Sequence, residues 1–428
     1  MKTIFKSAIL FIALTISFVL FLFLAACIPQ DAVRENMMKS AEYLCEDIVF
    51  PHAIEGIDAT LIDRYADSIT SNIAWHFGEG DNLKSVMLGG YYFSRVQNEN
   101  YNFLHAMTGE PLEGGEYIQY MRYWHGSAAV VRFLHLIMTL KGIYILHIVL
   151  VTVLFLLNII CIVRRKMYDC LIAFVLGLVF TSSWFVPLSM EYTWVYLIFL
   201  TEMLIVFFLH DKGKENLYVY LLLAGGMITC YLDFLSAETL TLTMPLLLMI
   251  RLKYENGRLV FIAKNCIAWG VGYAGCWVSK WIIAAAVLRE NTMPYIAEHI
   301  AERAGGQTLG IPEMSTPVFI YNALLRNLIN LFPAGYGTGG LFAGVAIVIV
   351  FAYILYVYRR KGVEKKIVLS YLFIAMIPYV RFVLLHNHSY IHYFFAGRAQ
   401  CAAIMAMILL VLYASDLPGA VKAHKKKK

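Results

Sequence analysis

Charged side chains are scarce in this chain. Only 15% of its 428 residues are Asp, Glu, Lys or Arg, whereas 60% are hydrophobic and the mean hydropathy is +0.66. A soluble globular protein needs more polar surface than this composition provides. The sequence therefore predicts a polytopic membrane protein, with residues 1–428 forming a single membrane domain.

Other familiar sequence signals are also missing. The eight cysteines lie mostly within apolar runs, so no disulfide framework is expected, although Cys27 and Cys45 fall on one predicted side and could pair. No internal repeat of about 20 to 50 residues is visible. The net charge of +6 comes largely from basic residues in short loops, where they orient membrane helices. We therefore expect no nucleic-acid partner.

Ten apolar runs have the character of transmembrane helices. They cover approximately residues 8–27, 142–163, 170–188, 193–209, 217–235, 240–250, 259–288, 341–358, 367–385 and 399–412. Most approach the roughly 20 residues that a helix needs to cross a bilayer, and the sixth is short. The sequence thus predicts an all-α integral membrane protein with about ten transmembrane helices.

Basic residues set the predicted orientation. They occur in the loops at residues 164–166, 211–214, 251–258 and 359–366 and in the tail at 425–428, which the positive-inside rule places in the cytoplasm together with both termini. The polar intervals 28–141, 289–340 and 386–398 then lie outside. The first is a long loop with short helices and, at about 128–140, a re-entrant or interfacial segment. Short loops without appended domains are typical of a bacterial cytoplasmic membrane protein, with its active face outward.

The first apolar run has a second interpretation. Leu24-Ala25-Ala26-Cys27 matches a lipoprotein signal site, in which Cys27 would carry lipid and the preceding segment would be removed. An uncleaved first helix gives a consistent count of spans along the whole chain. We therefore predict that the first helix is retained.

The best chemical candidates in the first outer interval are Asp63 and Asp67, four residues apart. On a helix they would share one face, where each carboxylate raises the pKa of the other or both hold one divalent cation. Carboxylates at this spacing are also common on solvated helix faces. We take Asp63 and Asp67 as candidate catalytic acids and leave the divalent cation open.

Candidate substrate-binding residues lie at the predicted membrane edges. His125 and Arg132 are ionisable groups near the point of re-entry, where burial is costly unless a polar cavity receives them. Asp233 and Glu238 flank a turn between two spans. They either cap a helix or add carboxylates to an outer cavity.

The last outer interval is rich in histidine and aromatic residues. His388 and His392 have the spacing of a metal-binding pair, but no Cys or carboxylate stands at a ligand offset and the glutamate of HExxH is absent, so no metal site is predicted. We expect His388, His392 and Arg398 to hold a phosphate at the depth of lipid head groups. The alternative is an ordinary interfacial belt.

The second outer interval has two features. Residues 298–303 indicate an amphipathic helix, and 334–340 form a glycine-rich run. No Walker lysine follows this run, so it is not a phosphate loop. It is either a connector or a mobile lid.

This layout resembles the GT-C class of integral-membrane glycosyltransferases. The shared features are an uncleaved first helix, a long first outer loop with paired acids, a re-entry segment containing Tyr123-Trp124-His125-Gly126, many further helices and a late basic outer motif. The resemblance implies transfer of a sugar from a polyprenyl-phosphate carrier to a glycan, lipid or protein acceptor of the cell envelope. Membrane lipid would be a further partner.

The resemblance also implies roles for individual residues. Asp63 or Asp67 would act as general base or metal contact, and His392 and Arg398 would bind the donor phosphate. Members of the class often place the key acid sooner after the first helix, where this chain has only Asp31 and Glu35.

Three alternatives stay open. A transporter or flippase would concentrate polar residues within its spans, where this chain has mainly Glu202, Lys264, Lys280 and Arg381. A membrane-bound acyltransferase would need a buried histidine, and His147 is the candidate. A non-catalytic membrane protein is the third alternative.

Overall fold

The computed structural model describes residues 2–305 and 313–416. Within these residues the fold is almost entirely helical, and seven segments are long and apolar enough to cross a membrane. These segments are Lys2–Ala26, Leu140–Arg164, Met190–Asp211, Leu259–Leu288, Gly339–Val357, Lys365–Leu384 and Tyr393–Ala414. The all-α membrane class is therefore confirmed. The predicted basic tail at 425–428 lies outside the described residues.

Helix α1 (Lys2–Ala26) packs its C-terminal turns into the protein. Leu22 and Ala25 are fully buried, and the Phe18 ring stacks on the Tyr231 ring with centroids 4.1 Å apart. Most of the apolar residues in the rest of the helix are exposed or half-buried. Retention of the first helix stays a prediction.

Five short helices and a small hairpin follow α1. They are α2 (Gln30–Cys45), α3 (Arg64–His76), α4 (Asn82–Leu88), α5 (Glu99–Thr108) and α6 (Gly126–Leu134), with antiparallel strands β1 (Tyr91–Phe93) and β2 (Glu116–Ile118). Asp81 and Asn98 cap α4 and α5 by accepting backbone N–H bonds, and both helices end at a left-handed glycine, Gly89 or Gly109. The short helices match the prediction, and the hairpin is an addition to it.

The central part of the chain contains six helices. They are α7 (Leu140–Arg164), α8 (Tyr168–Phe180), α9 (Met190–Asp211), α10 (Tyr218–Leu232), α11 (Leu240–Leu252) and α12 (Leu259–Leu288). The 13-residue helix α11 is buried on all sides, because α9, the helix Gln400–Ala414 and other helices surround it.

The described residues of the last part contain seven α-helices. They are α13 (Met293–Gly305), α14 (Thr316–Ile329), α15 (Thr338–Val357), α16 (Lys365–Leu384), α17 (His386–Ile391), α18 (Tyr393–Ala396) and α19 (Gln400–Ala414). Helix α13 is the amphipathic helix expected around 298–303. The glycine-rich run 334–340 forms the turn before α15 and its first residues.

All ten predicted spans coincide with helices, but only seven reach full length. Helices α8, α10 and α11 have 13, 15 and 13 residues. At about 1.5 Å per residue, 13 residues cover about 20 Å, whereas the hydrocarbon core is about 30 Å thick. The count of ten and the cytoplasmic placement of the termini stay predictions.

The region 28–141, which was predicted to lie outside, is packed onto the helices that follow it. One hydrophobic cluster joins residues of α1 to α6 with residues of α7, α10 and α12. A second cluster is centred on α9, α11, α16 and α19. Cys27 and Cys45, the pair that could have formed a disulfide, are both free thiols.

Candidate functional site

Asp63 and Asp67 are buried, with 3% and 0% of their surfaces exposed. The solvated-face interpretation is therefore wrong. Asp63 does not lie within a helix but is the N-cap of α3, where its Oδ1 accepts a 2.8 Å hydrogen bond from the Ala66 amide. Asp67 lies in the first turn of the same helix. Both buried side chains therefore lie at the N-terminal end of α3.

The carboxylate of Asp67 joins three parts of the fold. Its Oδ2 accepts a 2.6 Å bond from the Tyr144 hydroxyl on α7. Its Oδ1 accepts bonds from the backbone amides of Met190 at 2.9 Å and Glu191 at 3.3 Å, so it caps the start of α9. The Ser189 hydroxyl adds a further donor at 3.3 Å. Such a fully bonded carboxylate is suited to positioning.

Asp63 has a different electrostatic environment. Burial raises its pKa to about 7, the Ala66 amide and the Arg398 cation lower it, and the Asp67 charge raises it. The expected effect of Asp67 on the pKa of Asp63 is thus present. Burial also raises the pKa of Asp67 to about 6, against the opposing hydrogen bonds from Tyr144 and the α9 amides. Asp63 therefore changes charge close to neutral pH.

Arg398 approaches Asp63 from the other end of the chain. It lies in the 3-10 turn Gly397–Ala399 that precedes α19 and is 3% exposed. Its guanidinium carbon lies 4.3 Å from the centre of the Tyr192 ring, and its Nη2 donates to the Ala59 carbonyl at 3.3 Å. Its Nε and Nη1 have no acceptor in the described part of the chain. A buried arginine with donors to spare can receive an anionic oxygen.

Glu191 connects Asp63 and Asp67 with another buried acid, Asp233. It is 4% exposed at the start of α9 and interacts electrostatically with Asp63, Asp67 and Asp233. Asp233 follows α10, and its carboxylate accepts hydrogen bonds from the backbone and hydroxyl of Ser236. Asp233 is therefore a local cap, as one interpretation expected, and also lies beside other acids.

Glu238 is paired with a cation from α16. Its Oε1 lies 2.9 Å from Arg381 Nε, and both side chains are at most 6% exposed. The same guanidinium donates to the Ser389 hydroxyl at 2.9 Å and contacts His388 Nδ1 at 3.2 Å. Glu238 and the histidine-rich interval are thus joined through Arg381.

His388 and His392 face each other with ring centroids 4.6 Å apart. Burial lowers the pKa of both imidazoles, and the Arg381 and Arg303 cations lower it further. Both are neutral at pH 7, so they can donate a hydrogen bond to a phosphate but add no positive charge. The two histidines were expected to act as hydrogen-bond donors that change with protonation. Because their pKa values are lowered, this change occurs only well below neutral pH.

The structure thus brings together a set that we call the charged cluster. Its members are Asp63, Asp67, Glu191, Asp233, Glu238, Arg381, His388, His392 and Arg398. Seven of them were singled out from sequence as catalytic or substrate-binding residues. Among residues 2–305 and 313–416, no three His, Cys, Asp or Glu side chains are arranged to hold a metal ion.

His125 borders the charged cluster without joining it. It is fully buried, with a left-handed backbone (φ 60°), and its Nε2 lies 2.7 Å from the Tyr120 carbonyl. Its ring is 5.6 Å from that of Phe234, the neighbour of Asp233. Burial lowers the pKa of His125 to about 3. At neutral pH it is an uncharged side chain that packs among aromatic residues beside the charged cluster.

Arg132 lies elsewhere and has a structural environment. Its guanidinium donates to the carbonyls of Ala74 at 2.5 Å, Trp75 at 3.1 Å and Ile28 at 2.6 Å. It therefore ties the C-terminal end of α3 to the chain that follows α1. The polar environment expected for Arg132 consists of backbone carbonyls, with no cluster member among its hydrogen-bond partners.

Glu191 and Arg381 were missed as site residues, although each left a signal in the sequence. Glu191 follows Ser189-Met190 at the start of an apolar run, and an acid at that position is placed near the membrane edge. Arg381 lies inside a predicted span, where a cation needs a partner, and Glu238 in the facing turn was the available acid. No family model, curated protein sequence or solved structure matches this chain.

Proposed function

We propose that this protein is a membrane glycosyltransferase that moves a sugar from a polyprenyl-phosphate carrier to an acceptor of the cell envelope. The observation that supports the proposal most is the electrostatic interaction between Asp63 and Arg398, a buried acid and a buried cation from distant parts of the chain. Glycosyl transfer from a lipid phosphate needs both charge types at one place. The GT-C-like layout is consistent with this chemistry.

Asp63 is the proposed general base. Its pKa of about 7 lets the carboxylate form exist at neutral pH while keeping it basic enough to take a proton from an acceptor hydroxyl. The acceptor oxygen then bonds to the anomeric carbon as the bond from that carbon to the phosphate oxygen breaks. The proton stays on Asp63, and the lipid phosphate leaves with the bonding electrons.

Arg398 is the proposed contact for the departing phosphate. Its Nε and Nη1 have no acceptor among the described residues, so the guanidinium can donate to a phosphate oxygen, and its charge opposes the negative charge that develops on the leaving group. Neutral His392 can donate one further hydrogen bond. Asp67 acts as a positioning residue, because its donors hold it against α7 and α9.

The test measures transfer of radiolabel from a panel of polyprenyl-phosphate sugars in membranes that contain equal amounts of each variant. Asp63→Asn is expected to lower transfer at least ~100-fold, the usual contribution of a general base. Asp81→Asn is the matched control, because Asp81 also caps a short helix of the same region and is exposed. Arg398→Gln should impair transfer, with Arg34→Gln, an arginine over the Trp75 ring, as its control.

A transporter or flippase is the second candidate, and one residue favours it. Glu202 lies in the middle of α9, is 4% exposed, and neither of its carboxyl oxygens has a hydrogen-bond partner in the described residues. An ionisable group of this kind inside a membrane span often marks a transport path. Wild-type membranes that transfer no sugar from any donor would move the assignment to this class.

A further inference from the structure

A second polar site lies next to the charged cluster. A cavity of about 480 Å³ opens between the 3-10 turn Asp58–Thr60, helix α14, the glycine-rich run and Tyr393 at the start of α18. Ligand sites commonly have volumes of roughly 300 to 1,000 Å³. Its polar lining comes from Asp58, Arg326 and Asn330 together with the backbone at Gly335 and Gly337.

The walls of this cavity are held in place by their own contacts. The Tyr393 hydroxyl donates to the Asp58 carboxylate, and Arg326 lies 4.0 Å from the centre of the Tyr393 ring. Arg326 Nη1 donates to the Tyr390 carbonyl at 2.9 Å, and its guanidinium also covers the Tyr390 ring. The cavity is therefore preformed and needs little reorganisation to receive a ligand.

The charges of the cavity limit what it can bind. The Asp58 carboxylate also lies 3.4 Å from His52 Nε2, but it is 49% exposed and so has room to accept further hydrogen bonds. A free phosphate would be repelled by that carboxylate, and an apolar ligand would remove Asp58 and Arg326 from water without replacing their hydrogen bonds. A ligand with many hydroxyls supplies donors to Asp58 and acceptors to Arg326 and Asn330. Carbohydrate is the ligand class that meets these requirements.

We propose that this cavity binds a carbohydrate segment. The cavity is adjacent to the charged cluster. Asp58 directly precedes Ala59, whose carbonyl accepts the hydrogen bond from Arg398, and Tyr393 directly follows His392. The identification of the bound carbohydrate as the acceptor rests on the proposed function. Binding itself needs no donor and no reaction.

The experiment measures retention of purified full-length protein, in lipid nanodiscs, on an array of neutral mono- to hexasaccharides. Wild type is expected to be retained by at least one oligosaccharide. Asp58→Asn and Arg326→Gln should each weaken binding by about tenfold, the loss of roughly one charged hydrogen bond. Asp58→Asn keeps an oxygen for the Tyr393 hydroxyl, and thermal unfolding checks that both variants are folded. Glu55→Gln, an exposed acid of the same loop, should bind like wild type.

The outcomes separate this proposal from the proposed function. Retention lost in Asp58→Asn but kept in Asp63→Asn supports the cavity, even where no sugar transfer is measured. Absence of retention on every neutral saccharide overturns the cavity, even where transfer is measured. Retention that all variants share, or retention only on phosphorylated compounds, also overturns it.

Discussion

The carboxylate of Asp63 is influenced in opposite directions by two neighbours, because the Arg398 cation lowers its pKa while the Asp67 carboxylate raises it. Arg398 comes from the turn before the last helix, and Asp67 from the first turn of α3. Burial sets the main upward shift, and these two charges adjust it. Substitution of Arg398 and substitution of Asp67 should therefore shift the pKa of Asp63 in opposite directions.

The first prediction concerns the pH dependence of the wild type. A general base works in its deprotonated form, so sugar transfer should rise with pH and level off above the pKa of Asp63, about 7. Initial rates between pH 5 and pH 9 (a range of about two units on each side of that pKa), at saturating donor, measure this limb. A rate that is already constant from pH 5 upward would exclude Asp63 as the base.

The second prediction concerns two substitutions that should change the pH at which the rate of sugar transfer rises. Arg398→Gln removes a cation that favours the charged form, so the pKa of Asp63 should rise and the limb should move to higher pH. Asp67→Asn removes a like charge, so the limb should move to lower pH. Movement of both limbs in one direction would show that the variants act through altered structure.

The third prediction concerns the buried ion pair of Glu238 and Arg381. Glu238→Gln leaves the Arg381 cation buried without its counter-charge and should lower the free energy of unfolding by about 3 to 5 kcal/mol. Thermal unfolding in detergent provides the comparison. Glu35→Gln removes a carboxylate that contacts Lys39 at 2.6 Å but is 82% exposed, and it should change stability very little. Equal effects in the two variants would contradict the buried-pair interpretation.

The fourth prediction concerns orientation. Cys27 is an exposed free thiol directly after α1, and the predicted topology places it outside. A membrane-impermeant maleimide should label intact cells through Cys27, and Cys27→Ser should remove most of that label. Lys361→Cys, in a predicted inner loop, should react only after permeabilisation. The reverse pattern would invert the topology, and an unreactive Cys27 in both conditions would support lipid modification of its sulfur.

The fifth prediction concerns Glu202 and separates the two candidate functions. Glutamine has nearly the same shape and cannot ionise, so Glu202→Gln removes a potential buried charge that has no partner. If the protein is a glycosyltransferase, this variant should keep its thermal stability and its transfer rate. If Glu202 belongs to a transport path, the variant should fold normally and lose the transport activity.

The sequence predicted the helical membrane class and most members of the charged cluster, because both depend on local features. An apolar run reveals a helix by its own composition, and an ionisable residue at the edge of a run reveals itself by the cost of burying it. Glu238 and Arg398 were identifiable in this way, whereas Asp63 was identified by its spacing to Asp67.

The remaining features depend on contacts between distant parts of the chain. The sequence does not show that Asp67 caps α9, since the amides of Met190 and Glu191 carry no mark of their partner. The lengths of α8, α10 and α11 follow from turns that interrupt continuous apolar runs. The structural use of Arg132 depends on the carbonyls at the end of α3, which only the packed structure brings within reach.

The hydrogen bonds of Asp67 connect the proposed catalytic site to two helices that are long enough to span the membrane. Asp67 is bonded to Tyr144 on α7 and to the first amides of α9, and both helices are long enough to span the membrane. A change in bilayer thickness alters the tilt of spanning helices. Any change in the angle between α7 and α9 would be transmitted to the first turn of α3, where Asp63 is the capping residue. If the proposed function holds, the rate of sugar transfer should therefore depend on the acyl-chain length of the surrounding lipid.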